Sequence, residues 1–315
     1  MFSSTPYFFI SVPSRASILD IHAKAKWSQN AITVAGGNGQ GSGTNQIFWS
    51  YGFYIDDDQT IYVADWGNNR IVQWKSGAMN GKVVAGGNEV HQLYNPVDVI
   101  IDKESDSFII SDRWNYRIVR WPRRNGTSGD TMISNISCAG LAMDENGSLY
   151  VVDSEKHEVR RYKTGDNNGI VIAGGNEKGN RLDQLSAPRY VFVHRDCSIY
   201  VSDFDNHRVM KWKEGTTQGI VVAGGQGPGN SLIQLHGPQG VVVDQLGTVY
   251  VADRRNKQVM RWPKGATQRS VIVSENDQRT QSDQFYYPTG LSFDCYGNLY
   301  VADSWNNRIL KYNIE

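Results

Sequence analysis

Gly240-Val241-Val242-Val243-Asp244, a turn at Gln245-Leu246-Gly247, Tyr250-Val251-Ala252-Asp253, then an apolar pair and Trp262: this stretch decides the fold. Short apolar runs rich in β-branched and aromatic residues, closed by turn residues, read as strands of a hairpin. The core recurs as Tyr62-Val63-Ala64-Asp65, Ile109-Ile110-Ser111-Asp112, Tyr150-Val151-Val152-Asp153, Tyr200-Val201-Ser202-Asp203 and Tyr300-Val301-Ala302-Asp303. Successive aspartates stand 47, 41, 50, 50 and 50 residues apart. An aromatic follows each of them: Trp74, Trp121, Tyr162, Trp212, Trp262, Tyr312. Between repeats lies a further β-rich run ending in Gly-Gly, such as Val83-Val84-Ala85-Gly86-Gly87 or Ile220-Val221-Val222-Ala223-Gly224-Gly225.

Each repeat therefore supplies four short strands and no stretch of helical period. A unit of this size cannot bury both faces alone and must stack on its neighbours, and radial stacking closes into a propeller. The expected fold is all-β, a six-bladed β-propeller of four-stranded blades. The recurring aromatic should fill the space between blades, and the small residue before each aspartate suits a crowded position. The last repeat ends at Tyr312–Glu315, after its third strand, while Ile32-Thr33-Val34-Ala35-Gly36-Gly37 precedes the first full repeat. The N-terminal strand should thus complete the last blade beside Arg308–Tyr312, leaving no ragged edge. This places the propeller at 27–315, with an extension, 1–26, outside it.

Asn-x-Arg-Ile/Val follows the core at Asn68-Asn69-Arg70-Ile71, Asn115-Tyr116-Arg117-Ile118, Asn206-His207-Arg208-Val209 and Asn306-Asn307-Arg308-Ile309. With the Pro-x-Gly openings at Pro238 and Pro288, these repeats resemble NHL-repeat propellers. Blade three (Glu155-Lys156-His157-Glu158-Val159) and blade five (Asn256-Lys257-Gln258-Val259) depart from the motif. Its polar residues are accordingly expected to cap turns and hold backbone. A lyase that resembles this family holds zinc with histidines at the starts of innermost strands. Val97, Ala139, Arg189, Gln239 and Thr289 stand there instead, so the resemblance implies no such metal site.

Composition narrows the function further. The 32 Lys+Arg balance 32 Asp+Glu, which removes the sequence-wide signal for nucleic acid or an anionic membrane. Cys138, Cys197 and Cys295 have no zinc spacing and cannot build a disulfide scaffold. The glycine-rich stretches Gly36–Gly43 and Gly224–Gly229 match no phosphate-binding pattern. Asp56-Asp57-Asp58 lacks the rest of a calcium loop. No apolar run approaches the roughly 18 residues of a spanning helix. The reading is no cofactor, no metal, no enzyme and no membrane span. No convincing signal peptide is present, and the compartment is unassigned with a lean towards extracellular. In a secreted chain Asn125, Asn135 and Asn146 would be glycosylation acceptors.

The loop entering the innermost strand and the turn after the second strand should emerge on one face. Residues expected there, around the channel rim and behind it, are Tyr51, Trp66, Asp98, Arg113, Trp114, Arg189, Tyr190, Phe204, Gln239, Arg254, Arg255 and Trp305. Aromatics interleaved with arginines are enriched at protein interface hot spots. The connection after blade two lacks the Gln-Leu-x-x-Pro segment seen near Gln92, Gln184 and Gln234, which should leave a notch between blades two and three. The leading expectation is a non-enzymatic module that binds a protein or peptide through this face. The alternatives are a self-assembling structural protein, joining copies through the apolar run Tyr7–Val12 of residues 1–26, and single-stranded RNA binding.

Overall fold

The computed structural model describes residues 21–22, 24–87, 93–166, 168–266, 269–274 and 285–315. Among them, strands pair into six four-stranded antiparallel sheets. Blade one runs from the axis outward as Ser50–Ile55, Ile61–Asp65, Arg70–Trp74 and Lys82–Gly86. The other blades open with Pro96–Asp102, Cys138–Met143, Pro188–Val193, Pro238–Val243 and Pro288–Phe293. These innermost strands pack on one another in a closed ring. Blade six takes its outer strand from the other end of the chain. Ile32–Gly36 pairs antiparallel with Arg308–Tyr312, Ile32 opposite Lys311 and Gly36 opposite Arg308. The repeat count and the circular clasp both stand as expected.

The apolar run Tyr7–Val12 lies outside the described residues, and so does any part it plays in joining copies. Further along, Ile21 and Ala25 are buried and join the apolar cluster around Trp27, and Arg261 Nη1 donates to Ala25 O at 2.9 Å. The packed chain thus reaches back to Ile21.

The third-strand aromatics are buried, Trp74, Trp212 and Tyr312 almost completely. Around the axis the crowding is backbone on backbone. The third residue of the innermost strand is glycine in four blades, and a Cβ on Gly240 would stand 2.4 Å from Thr289 O. Asp98 and Tyr190 occupy that position in blades two and four: the Asp98 carboxylate turns to Leu141 N of the next innermost strand, and the Tyr190 side chain reaches across the ring.

The polar motif residues are structural. Asp65 accepts from Phe48 N at 2.8 Å through Oδ1, and from Asn68 Nδ2 at 2.8 Å and Arg70 Nε at 2.7 Å through Oδ2. The remaining Arg70 donors reach Ser42 O, Gly43 O and Gln46 O at 2.7, 3.1 and 3.1 Å, binding the incoming interblade loop to the blade. Blade two keeps the pair with a more exposed arginine. Arg117 keeps its aspartate, Asp112, at 2.7 Å, but its side chain is 26% exposed against 7% for Arg70 and 6% for Arg208. In blade five Gln258 stands where the arginine would be, and Arg269, ahead of the outer strand, pairs with Asp253 at 3.0 Å instead.

A second device links successive blades. The left-handed residue closing the turn after the second strand accepts a backbone N–H at the entry of the next blade. Asn69 Oδ1 accepts from Asn95 N at 2.8 Å and Asn307 Oδ1 from Trp49 N at 3.0 Å. His157 Nδ1 accepts from Ala187 N and His207 Nδ1 from Gly237 N, both at 3.2 Å. An imidazole can accept at Nδ1 only when that nitrogen is deprotonated. Burial, then the neighbouring His236 and Arg255, lower the His207 pKa from the ordinary histidine value of 6.5. Its stabilising contribution is therefore complete above that unfolded value and lost as pH falls through the folded one. We expect thermal midpoints measured between pH 8 and 5 (roughly the histidine range) to drop on the acid side, and the drop to shrink in His207→Asn. An identical pH profile for both proteins would contradict this.

Candidate binding face at the channel mouth

The face is built from two sets of segments. Short 3-10 turns, Trp66–Asn68, Arg113–Asn115, Arg254–Asn256 and Ser304–Asn306, follow the buried aspartates of blades one, two, five and six. The turn asparagine bonds back to the aspartate, as Asn256 Nδ2 does to Asp253 Oδ2 at 2.8 Å. The residues before it are thereby left on the surface side of the turn. The second set is the entry of the innermost strands. Its second residues, Tyr51, Val97, Ala139, Arg189 and Gln239, surround the mouth of the central channel together with Tyr190. With Trp66, Arg113, Trp114 and Arg254 from the turns, they enclose a cavity of ≈ 170 Å³.

Eight of the residues expected at the face thus meet at one cavity: Tyr51, Trp66, Arg113, Trp114, Arg189, Tyr190, Gln239 and Arg254. The other four sit elsewhere. Asp98 is fully buried, Oδ2 accepting from Leu141 N at 2.8 Å and Oδ1 from Val99 N at 3.0 Å, so it staples blade two to blade three. Phe204 is buried as a platform, its ring centroid 5.2 Å from the Arg189 guanidinium and 5.3 Å from that of Arg255. Arg255 and Trp305 are exposed on the same face outside the cavity. Thr289, the second residue of the sixth innermost strand, is turned into the ring, where Oγ1 donates to Ser50 O at 3.1 Å.

Tyr190 has an additional role. Its hydroxyl donates to the carbonyl of Tyr51 on the opposite blade, so its ring spans the axis beneath the mouth. The cavity is therefore a cup entered from one side.

Charge at the cup is one-signed. Among the described residues Arg113, Arg189 and Arg254 have no ion pair; Arg113 Nη1 reaches only Cys138 O and Ser154 Oγ, at 3.3 Å each. The Nε atoms of Arg189 and Arg254 are buried without a hydrogen-bond partner. Burial, then the like charge of Arg113, lowers the Arg189 guanidinium from its usual value, with Arg254 adding to the effect. Two larger clefts, ≈ 480 and ≈ 430 Å³, lie between outer strands on the blade flanks. Their arginines are paired with acids, Arg161 with Glu214 at 3.0 Å and Arg120 with Asp102 at 3.4 Å.

The sequence reading missed half of the aromatic surface. Trp49 stacks on Trp305 with centroids 5.5 Å apart and lies 5.5 Å from Trp66. Trp66 meets Trp114 edge-on at 6.4 Å, and Trp114 meets Tyr94 at 5.4 Å. Tyr286 and Tyr287 flank Trp305 at 5.7 and 5.8 Å, and Arg254 sits 4.5 Å over the Tyr287 ring. The result is a belt across blades six, one and two, with the arginines of blades four and five facing it. The signal was available: Trp49, Tyr94, Tyr286 and Tyr287 all fall just before an innermost strand.

Asn125, Asn135 and Asn146 are exposed. Among the described residues no His/Cys/Asp/Glu group is arranged to hold a metal, and no helix is long and apolar enough to cross a membrane.

Comparison with known proteins places this architecture. A family model described as the NHL repeat matches residues 136–162, 235–261 and 285–312. The chain folds as a six-bladed β-propeller, and three of its blades, the third, fifth and sixth, match the NHL repeat. A search of curated proteins finds no match. Solved structures share the fold at low identity. An auxiliary nutrient binding protein from Bacteroides thetaiotaomicron is 16% identical with a TM-score of 0.72, over 92% of this chain and 77% of that one. A gluconolactonase from Xanthomonas campestris is 12% identical at 0.66, over 96% and 95%. Virginiamycin B lyase from Staphylococcus aureus is 11% identical at 0.59, over 91% and 99%. These neighbours are enzymes and a binding protein alike, and fold does not carry function across them.

Proposed function

We propose that this propeller is a non-enzymatic interaction module that binds a protein or peptide through the channel-mouth face. The observation that supports it best is the pairing of a cup lined by unpaired arginines with a belt of tryptophans, of which Trp114 and Trp305 are half-exposed. Tryptophan and arginine dominate interface hot spots, because both bury large area and keep a polar handle. The lyase and the gluconolactonase support the fold and leave the chemistry of this chain open. An RNA reading is less favoured, since stacking surfaces for a strand need a continuous basic track and here the arginines converge on one point. We place the chain in an extracellular setting, where glycans would fall on Asn125, Asn135 and Asn146.

A random peptide library displayed on phage and selected on the intact chain tests the reading. Selected peptides should lose at least about ten-fold in affinity, ~1.4 kcal/mol, for Trp114→Ala and for Trp305→Ala, while thermal midpoints stay close to that of the parent. Peptides indifferent to both substitutions would refute it.

A further inference from the structure

We propose that the cup at the channel mouth is a carboxylate site, receiving the charged end of an acidic residue or of a chain terminus from the bound peptide. The inference rests on the peptide-binding reading of this face and adds the chemistry of one contact.

Three guanidinium groups reach the cup from different blades, Arg113, Arg189 and Arg254. The buried arginines elsewhere in the ring are each given an acid: Arg70 has Asp65 at 2.7 Å, Arg208 has Asp203 at 2.7 Å and Arg269 has Asp253 at 3.0 Å. At the cup the acid is missing. The nearby carboxylate that raises the Arg189 pKa, Asp205, is 3.3 Å from Lys178 and also accepts from Ser186 Oγ at 3.2 Å. Buried N–H groups left without an acceptor are costly, so an oxygen from outside the chain is the group that completes them.

Shape then selects among oxygen ligands. A guanidinium presents a planar fork that matches a carboxylate in a bidentate pair. A cavity of ≈ 170 Å³ admits the end of a side chain and little more. Because Tyr190 spans the axis below, the ligand cannot thread through. Tyr51, Trp66 and Trp114 on the wall accommodate the apolar stem behind the charge.

Three acetylated dipeptides separate the sources: acetyl-Trp-Glu amide carries only a side-chain carboxylate, acetyl-Trp-Gln acid only a terminal one, and acetyl-Trp-Gln amide neither. In ligand-detected NMR titrations of the intact chain, at least one acid should bind about ten-fold or more tighter than the neutral probe, with affinity falling as salt rises. The tighter acid names the source. Arg254→Gln, at a side chain without hydrogen bonds to lose, should remove most of that advantage, and Arg189→Met, checked for an unchanged circular dichroism spectrum, should remove it as well. Equal binding of all three probes, or an advantage that survives Arg254→Gln, overturns the carboxylate site. If Trp114-dependent phage peptides persist in that case, the module reading stands without it. If the acids bind through the arginines while no selected peptide depends on Trp114 or Trp305, the cup stands and the module reading falls.

Discussion

Asp203→Ala should destabilise the propeller by about 3–5 kcal/mol, the range for breaking a buried ion pair by removing one partner. The Asp203 carboxylate is completely buried and accepts from Ser186 N at 2.6 Å, Asn206 Nδ2 at 2.8 Å and Arg208 Nε at 2.7 Å. Burial raises its pKa from the usual carboxylate value, a measure of the desolvation those bonds have to offset. Truncation strands the Arg208 guanidinium without a counter-charge. It also frees the loop whose carbonyls at Asn180, Arg181 and Gln184 the same guanidinium holds at 2.8, 3.0 and 3.0 Å. Equilibrium urea unfolding measures the loss. The double variant Asp203→Ala/Arg208→Met should cost much less than the sum of the single variants, because the second change removes the stranded charge. Arg117→Met gives the internal control: its pair with Asp112 is a quarter exposed, so its loss should be clearly smaller than that of Arg208→Met. Equal losses at the two arginines would mean that burial does not set the strength of these pairs.

The contrast between those arginines shows what a repeat makes legible. Blade number, strand order and ring closure follow from residues recurring in phase, and Asp65, Asp203 and Asp303 do the same work because their surroundings repeat. What breaks the repeat has to be read in space. Asp98 looks like a rim residue in sequence, yet its equivalents are Gly52, Gly140, Gly240 and Gly290, positions where a side chain has room only if it leaves the strand. The glycines were the clue that both side chains leave their strand, Asp98 for Leu141 N of the next blade and Tyr190 for the far side of the ring. Blade five looks like a loss of the motif arginine, whereas Arg269 reaches the equivalent aspartate from the segment ahead of the outer strand. A linear pattern cannot register that exchange. The candidate site divides in the same way. The turn residues Trp66, Arg113, Trp114 and Arg254 stand at fixed offsets from the core and are visible. The aromatics ahead of the innermost strands follow no motif, and only packing shows that they complete the belt.

Ring closure depends on more than the strand pair that was legible, and Trp27→Ala isolates the rest. Trp27 is buried, its Nε1 donates to Gly297 O at 2.9 Å, and its ring stacks on Phe293 at 5.9 Å and meets Tyr250 edge-on at 5.8 Å. Its backbone bridges Ile314, while Ser28 N reaches Asn313 O at 2.8 Å and Glu315 N reaches Lys26 O at 2.9 Å. The Trp27 side chain therefore fastens its segment to blades five and six, beside backbone bonds that tie the same segment to Asn313–Glu315. Removing a fully buried tryptophan costs about 3–5 kcal/mol in general. Here the loss should have a particular distribution. A stack of repeats that is not closed frays from its ends, and its terms are nearly local; a ring has no end until the clasp opens. In Trp27→Ala, hydrogen exchange should accelerate together in Ile32–Gly36 and Arg308–Tyr312, which share one ladder, and much less in the third strands of blades two to four. The freed edge of Arg308–Tyr312 should also promote association between chains at high concentration. A loss below about 1 kcal/mol, or an equal acceleration in every blade, would show that Ile32–Gly36 closes the ring alone and that Trp27 is ordinary core.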